Sequence, residues 1–182
     1  MTGSVQIPLY RRLGNPRSGL DVKIAETTVD AEDAEELQKH IWRLRENPYP
    51  TTPIYAYRNI KVSPGKWRAL YMHRVILGLN IPVPNGSNEV DHLNRNSLDN
   101  RKANLRVVTR AQNHQNVSSK KGSTSKYRGV SWSNNSGKWK AQANLNKTYC
   151  YLGLYTDEKE AARVANEWRA VNMPYAVPQI ID

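Results

Sequence analysis

The chain has 182 residues and carries 27 Lys and Arg against 16 Asp and Glu, a net charge of +11. That length suits one large or two small domains. A single cysteine excludes a disulfide framework and a cysteine-built zinc cluster, so no structural zinc is expected, and no stretch approaches the roughly 18 apolar residues of a membrane span.

Residues 1–20, with Pro8, Gly14, Pro16 and Gly19, show little periodicity and predict an extended arm and turn. Residues 22–30 alternate weakly, as a short strand does. Asp30 is placed to cap a helix over 31–45, in which Ala34, Leu37, Ile41 and Leu44 recur at helical spacing and the charge runs from acidic to basic, as the macrodipole favours. Asn47-Pro48-Tyr49-Pro50 predicts its end. Two strands follow, over 54–62 and 66–77, with Ser63-Pro64-Gly65 as their turn; the second is expected to pass into a helix near 73–79. Pro82, Pro84 and Asn85-Gly86 mark a loop. Residues 88–92 then read as a strand, 93–103 as a polar loop, 105–108 as a second strand, and Thr109 as the cap of a helix reaching about residue 117.

Residues 118–125 (SSKKGSTS) have the composition of a linker, in which Lys120 and Lys121 could reach a phosphate backbone. Beyond it, YRGVSW, KWKAQANL and TYCYLGLY read as three strands separated by Asn134-Asn135-Ser136-Gly137 and Asn146-Lys147. Asp157 caps a helix whose Ala161, Ala162, Ala165 and Trp168 form a small-residue face able to lie close on a sheet. Residues 1–60 hold eight basic and eight acidic side chains. From 100 to 156 there is no Asp or Glu, but there are eleven cations: Arg101, Lys102, Arg106, Arg110, Lys120, Lys121, Lys126, Arg128, Lys138, Lys140 and Lys147. Interleaved with Trp132, Trp139, Tyr149 and Tyr151, this run reads as a surface for a polyanion, with nucleic acid the expected partner.

The stretch EVDHLNRNSLDNRKANLRVVTRAQNHQN, residues 89–116, resembles the HNH endonuclease motif. More narrowly, it looks like the phage and intron-encoded HNH homing endonucleases whose final motif residue is Asn. The spacing is DH-x₁₁-NLR-x₆-N, with Leu98, Asp99, Asn100 and Arg101 in matching positions. The words YRGV, GKWKAQ, YLG and EKEAARVANEW resemble the plant ethylene-response-factor (Apetala-type) DNA-binding domain, a three-stranded sheet on one helix. The expected fold class is therefore α+β: a ββα-metal HNH unit plus a C-terminal three-stranded antiparallel sheet packed on one helix. The expected parts are an N-terminal α+β region (1–60), an HNH endonuclease (61–117, core 88–117), a linker (118–125), an ERF-type DNA-binding domain (126–175) and a tail (176–182).

By that resemblance Asp91 and Asn113 hold one Mg²⁺ or Mn²⁺ per site, since a carboxylate and an amide oxygen suit a hard cation and leave positions for phosphate and water. His92 is the general base, an ordinary imidazole being able to accept a proton near neutrality. Asn104 orders the loop or orients His92, with Asn100 the competing residue for that role. If the register slips by one, His114 replaces Asn113, although neighbouring helical positions diverge by about 100°. His73, in YMHRVILG, is read as a buried side chain beside the site, with a phosphate contact as the alternative. Arg95, Arg101, Lys102 and Arg106 flank the site, read as phosphate contacts with solvated surface as the alternative; one or two are expected to touch the backbone and the rest to supply field. In the C-terminal module Arg128, Gly129, Lys140, Gln142, Asn144 and Tyr151 are the expected DNA-facing residues. Ser131, Ser133 and Tyr149 depart from the plant pattern, which implies fewer base contacts there.

The reading is a site-directed, metal-dependent endonuclease that cuts double-stranded DNA, as a monomer that nicks or a dimer that breaks both strands. With no signal-peptide core, it is expected in the cytoplasm of a bacterium or phage-infected host. The alternatives are a DNA-binding regulator on an inactive HNH scaffold and a restriction or defence nuclease.

Overall fold

The computed structural model describes residues 3–15, 19–45, 54–79, 88–119 and 122–182. Asn47-Pro48-Tyr49-Pro50, the 82–86 loop, Lys120 and Lys121 lie outside them. The described chain is mixed α and β and divides into two units, Met1–Val108 and Thr109–Asp182.

The first unit is built on a five-stranded sheet. Its strands are β1 (Ser4–Leu13), β2 (Leu20–Asp30), β3 (Trp42–Arg45), β4 (Tyr55–Ser63) and β5 (Lys66–Tyr71), in the order β2-β1-β3-β4-β5. Neighbours run antiparallel except β1 and β3, which are parallel. The expected arm is thus β1, an internal strand. Pro8 argues against an internal strand because it lacks an N–H. It is accommodated because β3 pairs only with Leu9 and Tyr10. The sheet runs from residue 4 to residue 71, so the expected division at residue 60 falls inside β4.

The helix expected over 31–45 is also corrected. Only α1 (Ala31–Gln38) is helical, and the chain re-enters the sheet as β3. Trp42 decides this. Its side chain is 1% exposed, and its indole N–H donates to the Leu37 carbonyl at 2.8 Å, closing off the helix end. Burying that ring among Ile7, Leu9, Val29, Leu37, Ala56 and Met72 is worth more than a few further turns of exposed helix. Asp30 stands at the N-cap position but makes no side-chain cap bond; its Oδ2 instead accepts from the Lys102 backbone N–H at 2.7 Å.

Beyond Tyr57, strands β4 and β5 continue as a two-stranded ribbon past the end of β3, turning at Gly65 with φ +73°. This ribbon exposes Trp67 (63%) together with Lys61, Lys66 and Arg68. β5 ends at Tyr71 and gives way to α2 (Met72–Ile76), shorter than the expected strand and helix; its Met72 and His73 are buried. Two further strands, β6 (Glu89–His92) and β7 (Leu105–Val108), pair antiparallel with Asp91 opposite Arg106 and His92 opposite Leu105. The loop between them docks on β2: Asp99 bridges Thr28, the Thr28 N–H donates to Leu98 O at 2.9 Å, and the Asn100 N–H donates to Thr28 O at 2.7 Å.

The second unit opens with α3 (Arg110–Asn113), capped by Thr109 in a reciprocal pairing with Gln112. It is one turn long, not the helix to residue 117 that was expected. Strands β8 (Val130–Ser133), β9 (Lys138–Leu145) and β10 (Thr148–Tyr155) form an antiparallel sheet in the order β10-β9-β8. The helix α4 (Glu158–Asn172), capped by Asp157 through Glu160 N at 2.7 Å, covers one face. Ala161, Ala162 and Ala165 meet Tyr127, Val130 and Ala141 in its core. The small α4 residues let helix and sheet approach closely. Residues 176–182, expected as a tail, are tied in: Gln179 accepts from Arg128 N and Asn166 Nδ2, and Asp182 O accepts from the Tyr127 hydroxyl.

Candidate active site and nucleic-acid interface

Asp91 and His92 are consecutive on β6, so their side chains leave opposite faces of the ribbon. Both are 5% exposed. Asp91 faces its cross-strand partner, and its Oδ2 accepts from Arg106 Nε at 2.9 Å and Nη2 at 2.7 Å. His92 enters an aromatic cluster. Its ring lies edge-on to His73 at 5.4 Å and 6.1 Å from Tyr55, while His73 stacks on Tyr71 at 5.6 Å. His92 Nε2 lies 3.1 Å from Asn100 Oδ1.

Burial pushes the His92 pKa below its ordinary value, and the Asn100 bond and the charges of Asp91 and Asp99 only partly oppose this. His73 is pushed down to about 3, first by burial and then by His92 and Arg74. Both rings are therefore neutral at pH 7. A neutral imidazole keeps one lone pair able to take a proton, the chemistry required of a base. His73, expected beside the site, is buried against His92.

The two asparagines left open in the sequence divide the work. Asn104 orders the loop: its Oδ1 accepts from the Asn94 N–H at 2.9 Å, and its Nδ2 donates to Asn94 Oδ1 at 3.0 Å and to Asp99 O at 2.7 Å. Asn100, wholly buried, is the one that touches His92. Asp99 is held by Arg101 through Nε at 2.7 Å and Nη2 at 2.6 Å, which keeps its carboxyl below the usual range.

The basic residues expected to flank the site are largely committed within the first unit. Arg101 is on Asp99, Arg106 is on Asp91, and Lys102 Nζ lies 2.6 Å from Glu32 and 2.9 Å from Asp33. Arg95 takes a left-handed conformation, φ +62°, with its N–H donating to His92 O at 2.9 Å. Burial lowers its pKa, and the Asp91 charge opposes that. Asn113 is the last residue of α3, half-buried, and His114 after it is exposed; both belong to the second unit.

A hard-cation site needs oxygen donors, and Asp91 with an amide oxygen supplies that donor type. No group of three or more His, Cys, Asp or Glu that could hold a metal occurs among the described residues. Asp91 offers oxygens of the type a hard cation takes, and Arg106 already engages its Oδ2.

In the second unit, Lys140, Gln142 and Asn144 alternate along β9 and so share one face. Tyr151 is paired with Gln142 and Tyr149 with Asn144, and these tyrosines are 56% and 52% exposed. The Tyr149 hydroxyl donates to Gln142 Oε1 at 3.2 Å. A cavity of about 330 Å³ opens beside this face, lined by Arg128, Ser131, Gln142, Asn144 and Arg169. Gly129 has a structural reason to be glycine. Its φ is +79°, and a Cβ there would lie 2.3 Å from the Gln142 carbonyl oxygen. Arg128 Nη1 donates to Gln115 O at 2.5 Å.

Sequence reasoning missed Thr27, Tyr55 and Tyr71 at the first site, and the buried Arg169, which holds Arg128 O at 2.8 Å, in the second unit. No local pattern marks them, because each acts across a long sequence separation.

No helix among the described residues is long and apolar enough to cross a membrane. No curated protein and no solved structure matches the chain. The family model described as HNH endonuclease matches residues 70–115, which run from the end of β5 through the Asp91-His92 pair to the turn after α3. That segment, 46 of the 182 residues, supports an HNH nuclease domain acting on DNA.

Proposed function

We propose that the protein is a divalent-metal-dependent DNA endonuclease of the HNH homing type. The observation that carries this reading is a buried, neutral His92 beside a buried carboxylate, within the segment that matches the HNH endonuclease model. His92 takes a proton from water, whose oxygen attacks the phosphorus. The bond from phosphorus to the 3′ oxygen breaks, that oxygen leaves and is protonated from solvent, and the ends are a 5′-phosphate and a 3′-hydroxyl. Asp91 and Asn113 would hold the cation, Mg²⁺ or Mn²⁺, which when bound neutralises charge on the phosphate oxygens. The exposed β9–β10 face, with Lys140, Gln142, Asn144 and Tyr151, would supply ERF-type target recognition. With one site per chain, a monomer nicks and a dimer breaks both strands.

One observation favours a second reading, a DNA-binding regulator on an inactive scaffold: Arg106 already occupies Asp91 Oδ2 with two hydrogen bonds. A supercoiled-plasmid assay with Mg²⁺ or Mn²⁺ separates the two. The endonuclease reading expects nicked circles from the wild type and none from His92→Ala or Asp91→Ala, with DNA binding kept by both variants. Cutting by His92→Ala at the wild-type rate removes His92 as the base. Binding without cutting by the wild type leaves the regulator.

A further inference from the structure

Asn100 can present either its oxygen or its amide nitrogen to His92, and the choice sets which ring nitrogen carries the proton. Thr27, on β2, makes that choice. Its hydroxyl lies 2.7 Å from Leu98 O. A carbonyl only accepts, so the single hydroxyl proton is committed there. Thr27 Oγ1 then has only lone pairs to offer Asn100, 2.7 Å away, and the group facing it must be the donating Nδ2. Asn100 Oδ1 is left toward His92 Nε2 at 3.1 Å. An amide oxygen accepts, so Nε2 bears the hydrogen and the basic lone pair is on Nδ1. Thr27 and Asn100 are both 0% exposed. Reversing the chain of bonds would bury two acceptors face to face at these wholly buried side chains.

We infer that Thr27 is a positioning residue for the catalytic histidine: through Leu98 O and Asn100 it holds His92 as the Nε2–H tautomer, with Nδ1 the atom that accepts the water proton. The inference rests on the endonuclease reading for its catalytic consequence only. It gives the N-terminal sheet a part in the site that the matched segment, 70–115, does not contain. The same β2 stretch also holds the loop by its backbone, through Thr28 with Leu98 and Asn100, so the sheet sets both loop position and proton position.

The test uses the 182-residue chain without metal, labelled with ¹⁵N in the histidine rings and observed above neutral pH. Wild-type His92 is expected to show a protonated Nε2 and a lone-pair Nδ1; the opposite tautomer overturns the proposal with no variant needed. Thr27→Val keeps the shape and removes the hydroxyl. It should mix the two tautomers and lower kcat for plasmid nicking by about 10–100-fold, as loss of an orienting partner does, with KM and DNA affinity held. Thr27→Ser, which restores the hydroxyl, should recover the tautomer and most of the rate. A Thr27→Val protein with wild-type tautomer and rate, or a Thr27→Ser protein as impaired as Thr27→Val, overturns it. A wild type that never cuts DNA yet shows Nε2–H overturns the endonuclease reading and leaves the tautomer assignment standing.

Discussion

Acid should unfold the first unit through His73, and the amount follows from its surroundings. The ring is 8% exposed, stacked on Tyr71 and set edge-on to Tyr55 and His92. Its pKa falls from 6.5 to about 3. In the unfolded chain the group titrates at its ordinary value, so between those limits the unfolded state binds a proton that the folded state refuses. Stability is therefore complete above about pH 7 and is lost as pH falls, at up to about 1.4 kcal/mol per pH unit. At about pH 4.5 the unfolded imidazole is protonated roughly a hundredfold over neutral and the folded one scarcely at all, a loss of about 2.7 kcal/mol. His73→Phe keeps an aromatic ring and removes the titration. Urea unfolding followed by NMR resonances of β1 to β4 reads this unit separately from the second. The wild type should lose about 2.7 kcal/mol more than His73→Phe between neutral pH and about pH 4.5; His92 contributes with the same sign in both proteins, so the difference between them reads His73 together with its coupling to His92. Parallel curves for the two proteins would refute the claim that His73 is buried and neutral.

Asn104→Ala removes three hydrogen bonds from a buried amide and should destabilise the first unit by about 2–3 kcal/mol, with faster amide exchange confined to the 93–103 loop; an unchanged loop would show that Asn104 does not order it. Arg106→Gln leaves Asp91 buried without its guanidinium, so metal-free melting should occur at lower temperature and added Mg²⁺ should stabilise the variant more than the wild type. Equal stabilisation of both would mean that Arg106 and the cation do not share that carboxylate. Lys140→Ala should lower the slope of log affinity against log salt by roughly 0.9 if Lys140 meets a phosphate, whereas Lys102→Ala, already held by Glu32 and Asp33, should leave the slope as it is. Gly129→Ala forces a side chain into a left-handed conformation against a carbonyl and should cost the second unit about 2 kcal/mol or more by calorimetry; a neutral result would refute the close approach of Gly129 to Gln142.

What was legible in the sequence was what repeats locally. Strand alternation and turn residues placed β6 to β10 to within a few positions. The capping residues Thr109 and Asp157 and the small face of α4 could be read directly, because caps and helix faces depend on neighbours only a turn away. The Asp-His pair with its spaced asparagines was legible for the same reason. The failures share one cause. The length of α1 was decided by a slot for Trp42 between other strands, and Pro8 sits in an internal strand because β3 stops short of it. The partners of Lys102 lie about seventy residues away. Which asparagine touches His92 depended on Thr27, 73 residues upstream of Asn100. The sequence by itself determined which groups are available: a carboxylate, an imidazole and amides at spacings that resemble the HNH motif, with a carboxylate-free basic run that starts within it at residue 100. Only the tertiary structure decided which of those groups are committed to one another and which nitrogen of His92 is basic. Burial and hydrogen-bond direction are set by whatever the fold brings near, and no local pattern of residues encodes that.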